Sequence, residues 1–191
     1  MIIGIDEVGR GPVAGPVAVG AFLLKGKLPL KQVSIPLRDS KKLSRQQREV
    51  WYSHIQEWQK EGLCDFYVCM ISAAYIDRDG IAPSIRKALA TSLSKISDDV
   101  SIQILLDGGL KAPVAYKKQK TIIKGDEKEP AISLASIAAK VTRDRYMLRQ
   151  HVKFPQYGFD AHVGYGTKNH YAAIKKHGQT VLHRKSFLKS L

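Results

Sequence analysis

The sequence is poor in cysteine, poor in acidic residues and without a long apolar run. Its 191 residues include only 2 cysteines, Cys64 and Cys69, whose spacing fits neither a zinc knuckle nor a redox pair. No segment is apolar over the roughly 20 residues that a membrane-spanning helix needs. The first residues also lack the basic leader of a signal peptide. We therefore expect a protein of the reducing cytoplasm with no membrane partner.

The scarcity of acids leaves a strongly basic chain. Lys and Arg number 31 against 17 Asp and Glu, which gives a formal net charge of +14. Such an excess favours a polyanionic partner, and nucleic acid is the commonest one. The alternative is a soluble protein that carries many solvated lysines.

Hydrophobic periodicity predicts alternating strands and helices. Strands are predicted at residues 1–7, 17–24, 64–76, 101–106 and 114–124, and helices at 44–60, 81–96, 130–152 and 167–177. This order indicates an α/β fold, a mixed sheet covered by helices. The two opening strands should pair antiparallel, and strands separated by helices should be parallel. The length suits a single domain over residues 1–191, with 153–191 as a helical and loop appendage.

In a basic chain, the positions of the acids are informative. Asp6 and Glu7 end the first strand, where neighbouring side chains point to opposite faces. Both can serve one site only if the strand bends or ends there, which Gly9 and Gly11 permit. The alternative is an acidic strand end that faces water. Asp107 ends the fourth strand, and its alternative is an ordinary Asp-Gly turn.

Asp144 lies on the apolar stripe of the long helix, where a carboxylate needs a partner or a metal. Lys140, one turn earlier, offers an ion pair as the alternative. If the four acids converged, they would suit magnesium, which prefers oxygen ligands. Two such ions can activate water and stabilise the leaving oxygen in phosphodiester cleavage.

Eight motifs, in order along nearly the whole chain, resemble the ribonuclease HII family. They are DEVGRGP at 6–12, AGPV at 14–17, DSKKL at 39–43, LDG at 106–108, KGD at 124–126, ASIAAKVTRD at 135–144, HVGYGT at 162–167 and HRKSF at 183–187. The resemblance implies an RNase H-like fold, a five-stranded mixed sheet flanked by helices, with a C-terminal helical region. It also implies metal-binding or catalytic roles for four acids: Asp6, Glu7, Asp107 and Asp144.

The implied cofactor is Mg²⁺ or Mn²⁺, with Asp6 and Asp107 as shared ligands and Glu7 and Asp144 completing the two metal sites. Asp126 is left outside the metal set and is expected to support the start of the long helix. All six histidines are also kept outside the catalytic set, and most of them, including His170, are expected in exposed, basic surroundings.

The same resemblance implies residues that select the substrate. Gly9, Arg10 and Gly11 match the element that recognises the ribonucleotide, where glycines allow close backbone approach to a 2′-hydroxyl. Tyr165 matches a tyrosine that stacks on the sugar beside the junction. A loop expected to contact phosphates contains Ser40, Lys41 and Lys42. Their alternatives are a glycine turn with a solvated arginine, a packed surface tyrosine and solvated lysines.

The implied function is hydrolysis of the phosphodiester 5′ to a ribonucleotide, leaving 5′-phosphate and 3′-hydroxyl ends. The implied partners are RNA/DNA hybrids and duplex DNA that contains ribonucleotides. We expect a monomer, with a weak clamp contact through Ser186, Phe187 and Leu188. Two alternatives stay open: a non-catalytic basic nucleic-acid-binding module, and another two-metal DNA nuclease on the same fold.

Overall fold

A computed structural model describes residues 1–189, in which five strands form one mixed sheet. The order across the sheet is β3-β2-β1-β4-β5. β2 pairs antiparallel with both β1 and β3, whereas β4 pairs parallel with β1 and β5. The predicted five-stranded mixed sheet is therefore confirmed, with strands at Ile2–Val8 (β1), Val17–Leu24 (β2), Cys64–Ile71 (β3), Gln103–Asp107 (β4) and Gln119–Ile122 (β5).

Helices cover both faces of this sheet. They are Arg45–Lys60 (α1), Ala73–Asp79 (α2), Ile81–Ile96 (α3), Gly125–Lys128 (α4), Pro130–Lys153 (α5), Phe159–His162 (α6) and Lys168–His177 (α7). One core cluster joins α3 to one face of the sheet, and a second joins α1 and α5 to the other face. No helix within residues 1–189 combines the length and apolarity needed to cross a membrane.

Two glycines let α5 lie directly on the sheet. A Cβ atom on Gly4 would come within 2.2 Å of the carbonyl carbon of Ala131. One on Gly20 would come within 2.4 Å of the carbonyl oxygen of Ala135. Neither position can therefore carry a side chain without pushing the helix away. This close packing sets α5 along β1 and brings its middle turns over the end of that strand.

Three predictions about the elements are wrong in part. The third strand ends at Ile71, because Ser72 caps a helix that the sequence analysis missed. The last strand spans only four residues, because the side chain of Gln119 bonds the backbone of the preceding loop. β2 and β3 are antiparallel although α1 separates them, because residues 25–44 first carry the chain back along the sheet to Ser136. α1 then brings it to the end at which β2 finished, where Lys25 bonds Leu63.

The C-terminal segment packs against the loop between β1 and β2. A third core cluster joins Val13 and Ala14 of that loop to Met147, Phe159 and Leu182. A β-bridge also links Ala14 to His183. The predicted appendage therefore rests on residues 9–16 through a buried apolar contact, and its last two residues, 190–191, lie outside the described range.

Candidate functional site

Two of the predicted acids are neighbours at the end of β1 and β4. Ile5 is paired with Leu106, and both side chains lie in the core cluster beneath α3. The residues that follow them, Asp6 and Asp107, therefore share the opposite face, beneath α5. Parallel pairing of β1 with β4 thus brings together two carboxylates that are 101 positions apart in the chain.

Asp6 is buried, with 4% of its surface exposed. Its Oδ1 accepts a hydrogen bond of 2.7 Å from the amide of Glu7, and its side chain also bonds Ser136 of α5. Burial raises the pKa of Asp6 to about 7, and repulsion from Glu7 and Asp107 adds to the rise. This carboxyl group is therefore held where its negative charge is unfavourable unless a cation arrives.

Glu7 reaches the same group of acids without a bend in β1. The strand stays paired through Val8, so Glu7 points to the face opposite Asp6. Burial nevertheless raises the pKa of Glu7, Arg10 lowers it from 3.6 Å away, and Asp107 raises it. The charge of Asp107 therefore acts on Glu7 across the end of the sheet. β1 ends one residue later, at Val8, so of the two expected possibilities, a bend or a strand end, the structure has the strand end.

Asp126 joins these acids, although the sequence analysis left it out. The amide of Gly125 donates to Oδ1 of Asp107 at 2.7 Å, which fixes the start of α4 beside β4. Burial raises the pKa of Asp126 to about 6, and Asp107 and Asp39 add to the rise. Asp126 also supports the start of α5, as expected, because its backbone carbonyl accepts a hydrogen bond of 2.6 Å from the hydroxyl of Ser133.

Asp144 does not join them, and the predicted convergence of four acids is wrong at this position. The ion-pair alternative is what the structure shows: Nζ of Lys140 lies 2.9 Å from Asp144 Oδ1, and Nη2 of Arg48 lies 3.6 Å from Oδ2. Asp144 also follows Ser136, the neighbour of Asp6, by eight residues, or about 12 Å along a helix. Its charge is therefore balanced by two cations away from the sheet edge.

The loop predicted to contact phosphates divides into different roles. Ser40 is 1% exposed, and its hydroxyl bonds that of Ser136 at 2.8 Å, so the predicted phosphate contact by Ser40 is wrong for this arrangement. Lys42 is exposed and pairs with Glu127 at 2.9 Å. Burial alone would lower the pKa of Lys41, but four carboxylates outweigh it and raise that pKa; they belong to Asp39, Asp6, Asp126 and Asp107. Lys41 is therefore the cation beside the acids.

The predicted substrate-selecting residues come together next to this edge. Arg10 and Gly11 are exposed, and Tyr165 keeps 43% of its surface exposed. The carbonyl of Gly164, next to Tyr165, accepts hydrogen bonds from the amides of Val13 and Ala14 at 3.0 and 3.1 Å. The Tyr165 loop is thus fixed against residues 9–16, the segment that contains Gly9, Arg10 and Gly11.

The sequence analysis missed several buried charged or titratable side chains around these loops. Arg143 and Arg184 are fully buried, and no side-chain pattern in the sequence marks either of them. His170, expected on the surface, is also fully buried and bonds His183 at 3.2 Å. Burial lowers the pKa of His170 to about 4.

A hard divalent cation fits the chemistry of the acids at the strand ends. The oxygen donors are Asp6, Glu7, Asp107 and Asp126, and three of them have raised pKa values because they are buried beside one another. Within residues 1–189 no three such side chains are placed close enough together to hold one metal ion as they stand. Oδ1 of Asp107 is bonded to the amide of Gly125, which leaves its other oxygen available to a cation.

Comparisons with known proteins give one consistent result. The family model described as Ribonuclease HII matches residues 3–190. The Ribonuclease HII of Ruminiclostridium cellulolyticum is 43% identical over 189 residues, which cover 99% of this chain and 70% of the relative.

Solved structures with a similar fold include the RNase HII of Archaeoglobus fulgidus, determined in complex with PCNA. It has a TM-score of 0.75 and 26% identity, and the match covers 96% of this chain and 93% of that one. Bst-RNase HIII in complex with Mn²⁺ has a TM-score of 0.69 over 98% of this chain and 69% of that one. Its 16% identity shows the fold alone.

Proposed function

The chain belongs to the ribonuclease HII family and is a nuclease of the ribonuclease H type, and we propose that it hydrolyses the phosphodiester 5′ to a ribonucleotide. The substrates would be RNA/DNA hybrids and duplex DNA that contains ribonucleotides. The products would carry 5′-phosphate and 3′-hydroxyl ends.

One observation carries the proposal: buried carboxyl groups with raised pKa values lie at the end of the sheet in a chain of net charge +14. A protein that only bound nucleic acid would gain nothing from carboxylates near the phosphates, because like charges repel. A hydrolase that uses divalent cations needs such a group. The acids therefore favour catalysis over the binding module.

Asp6, Glu7, Asp107 and Asp126 would hold Mg²⁺ or Mn²⁺, and we propose that Asp126 replaces Asp144 in the predicted metal set. Divalent cations bound there would lower the pKa of a water and stabilise the leaving 3′-oxygen. The Mn²⁺ complex of Bst-RNase HIII supports a divalent cofactor on this fold. Asp144 would instead hold Arg48 and Lys140 in place beside α1.

The residues outside the acid group would bind and select the duplex. Lys41, which lies among the acids, would hold the phosphate next to the cut as a point charge. Arg10 and Gly11 would approach the 2′-hydroxyl, which DNA lacks. Tyr165 would stack its exposed ring on the neighbouring sugar.

The Archaeoglobus fulgidus complex supports a contact with a replication clamp in this chain too. Within the described residues, however, Ser186 donates to Asp77 at 2.6 Å and Leu188 is only 4% exposed. A clamp contact through residues 186–188 would have to compete with this packing. We therefore propose that the protein is a monomer and that its contact with a clamp through residues 186–188 is weak.

Cleavage of a DNA duplex with one embedded ribonucleotide tests the proposal. The reaction is run with Mg²⁺, with Mn²⁺ and with chelator, beside an all-DNA duplex of the same sequence. We expect a metal-dependent cut 5′ to the ribonucleotide and no cut in the all-DNA duplex. Cleavage of both duplexes would favour a DNA nuclease, and binding without cleavage under any condition would favour the binding module.

A further inference from the structure

Two fully buried arginines, Arg143 of α5 and Arg184 near the C-terminus, have no carboxylate partner within residues 1–189. Burying a guanidinium is costly unless hydrogen bonds replace its water. Burial lowers the pKa of Arg184 to about 9, so it stays charged at neutral pH. Two unpaired buried charges beside the proposed substrate surface call for a physical explanation.

Backbone carbonyls provide the missing partners. Arg184 donates to Gly15 at 2.9 Å, Arg10 at 3.0 Å and Gly9 at 2.7 Å. Arg143 donates to three more carbonyls, at 2.9 Å to Pro16, 3.2 Å to Ala14 and 3.0 Å to Val163. Five of these six acceptors lie in residues 9–16, and the sixth lies in the Tyr165 loop. The planar guanidinium suits such a fan of acceptors, whereas a lysine offers a single nitrogen.

These bonds fix the direction of the amides as well as the carbonyls. In a trans peptide the carbonyl of one residue points opposite to the amide of the next. Because the carbonyls of Gly9 and Arg10 point inward to Arg184, the amides of Arg10 and Gly11 point outward. Neither amide donates to an acceptor within residues 1–189, and both residues are exposed. Two neighbouring free amides form a donor pair for a phosphate or hydroxyl oxygen.

We propose that Arg143 and Arg184 are positioning residues that turn the carbonyls of residues 9–16 inward and so present the amides of Arg10 and Gly11 to the ribonucleotide. The proposal rests on the proposed function for the identity of the ligand. Gly9 fits the same arrangement: its φ is +85°, and a Cβ there would lie 2.2 Å from Nε of Arg143.

The test compares Arg184→Lys and Arg143→Lys with Arg145→Lys. Arg145 lies on the same helix as Arg143, but it pairs with Glu49 and stacks on Tyr52, away from residues 9–16. Affinity is measured in chelator for a duplex with one ribonucleotide and for the all-DNA duplex. We expect Arg184→Lys and Arg143→Lys each to lower the ratio of the two affinities about tenfold, with all-DNA binding within twofold of wild type. Arg145→Lys should keep the ratio.

Urea unfolding and the nitrogen-15 relaxation of the Arg10 and Gly11 amides complete the test. A purely structural role would lower stability and leave the affinity ratio of the folded fraction unchanged, which would overturn the proposal. If one variant fails to fold, the other still decides. If the wild type shows no preference for the ribonucleotide, the proposed function fails. The positioning role of Arg143 and Arg184 is then supported if these amides become mobile only in the Arg143 and Arg184 variants, and is overturned if they stay ordered.

Discussion

Buried charges are treated in opposite ways in two neighbouring regions of this molecule. At the ends of β1 and β4, carboxyl groups crowd together, and burial with mutual repulsion raises the pKa of Asp6 to about 7 and that of Asp126 to about 6. Around residues 9–16, two buried guanidiniums are matched by six carbonyls. The pKa values in the first region stay raised even with Lys41 and Arg10 beside the acids, whereas the buried charges of the second region are hydrogen-bonded to carbonyls of the protein.

The difference indicates that the acids at the strand ends bind a ligand, whereas the two buried arginines stabilise the fold. Functional sites are where unfavourable electrostatics is retained, because the ligand provides the compensation. Asp144 illustrates the value of this criterion, since it is buried like Asp6 but has Lys140 and Arg48 as partners. By this criterion Asp144 resembles the buried arginines, whose charges have partners in the protein, and Asp126 resembles Asp6.

Among variants of the acids at the strand ends, Asp6→Asn should have the largest effect on cleavage. We expect cleavage to fall by about a thousandfold or more, because removing a shared ligand disrupts metal binding. Duplex affinity should change little, because it comes mainly from lysine and arginine. Single-turnover cleavage and duplex binding in chelator measure the two effects. An equal loss of affinity and cleavage would contradict this division.

The same variant should be at least as stable as the wild type when metal is removed. Asp6 keeps a proton in the folded state up to about pH 7, whereas its ordinary value is 3.8. Between these values the folded state binds the extra proton, so the free energy of unfolding falls as pH rises, by about 1.4 kcal/mol per unit at most. Urea unfolding in chelator at pH 5 and pH 8 should show this fall in the wild type and less of it in Asp6→Asn.

Asp126→Asn should mainly lower cleavage, whereas Asp144→Asn should mainly lower stability. We expect Asp126→Asn to lower cleavage about a hundredfold with little loss of stability. Asp144→Asn should lower cleavage less than tenfold but destabilise the fold by about 1–3 kcal/mol, because Lys140 and Arg48 lose their partner. Cleavage rates and urea unfolding of both variants decide. The reverse pattern would return Asp144 to the metal set.

Sequence reasoning could identify Asp6 and Asp107 because acids at strand ends in a basic chain are unusual. It placed Asp144 in the metal set and left Asp126 out, because a metal ligand and an ion-paired acid look alike on the apolar stripe where Asp144 lies. The choice depended on two contacts distant in sequence, Gly125 with Asp107 and Arg48 with Asp144.

The directions of the strands show the same limit of sequence reasoning. Periodicity located the strands near their correct positions, but it could not show that α1 connects antiparallel strands. The roles of Arg143 and Arg184 were also invisible, since their acceptors are backbone carbonyls, which carry no sequence signal. The sequence analysis therefore recovered the residues whose side chains meet one another, and missed those that act on backbone.

Tyr165→Ala tests whether the loop that packs on residues 9–16 presents a side chain to the substrate. The exposed ring is the proposed stacking surface, while the loop beneath it is held by Gly164 and His170. We expect kcat/KM for the single-ribonucleotide duplex to fall about tenfold, with stability within about 0.5 kcal/mol of wild type, since the truncation removes an exposed side chain. Tyr165→Phe should retain most of the activity. Unchanged kinetics in Tyr165→Ala would make the ring a surface residue only.

A smaller effect should come from the buried histidines that hold the same loop. Burial lowers the pKa of His170 to about 4, from an ordinary value of 6.5, while its Nδ1 bonds the carbonyl of Tyr165 at 2.9 Å. Between these two pH values the unfolded chain binds a proton that the folded protein excludes. The free energy of unfolding should therefore fall as pH drops from 7 to 5, by about 1–2 kcal/mol from this residue.

His170→Gln should flatten that part of the pH dependence, whereas His177→Gln, at an exposed position of the same helix, should not. Urea unfolding of the three proteins at pH 7 and pH 5 makes the comparison. If wild type and His170→Gln lose equal stability, proton exclusion by His170 does not contribute to holding the Tyr165 loop. If only His170→Gln is insensitive to pH, the Tyr165 loop depends on a neutral His170 as well as on the two buried arginines.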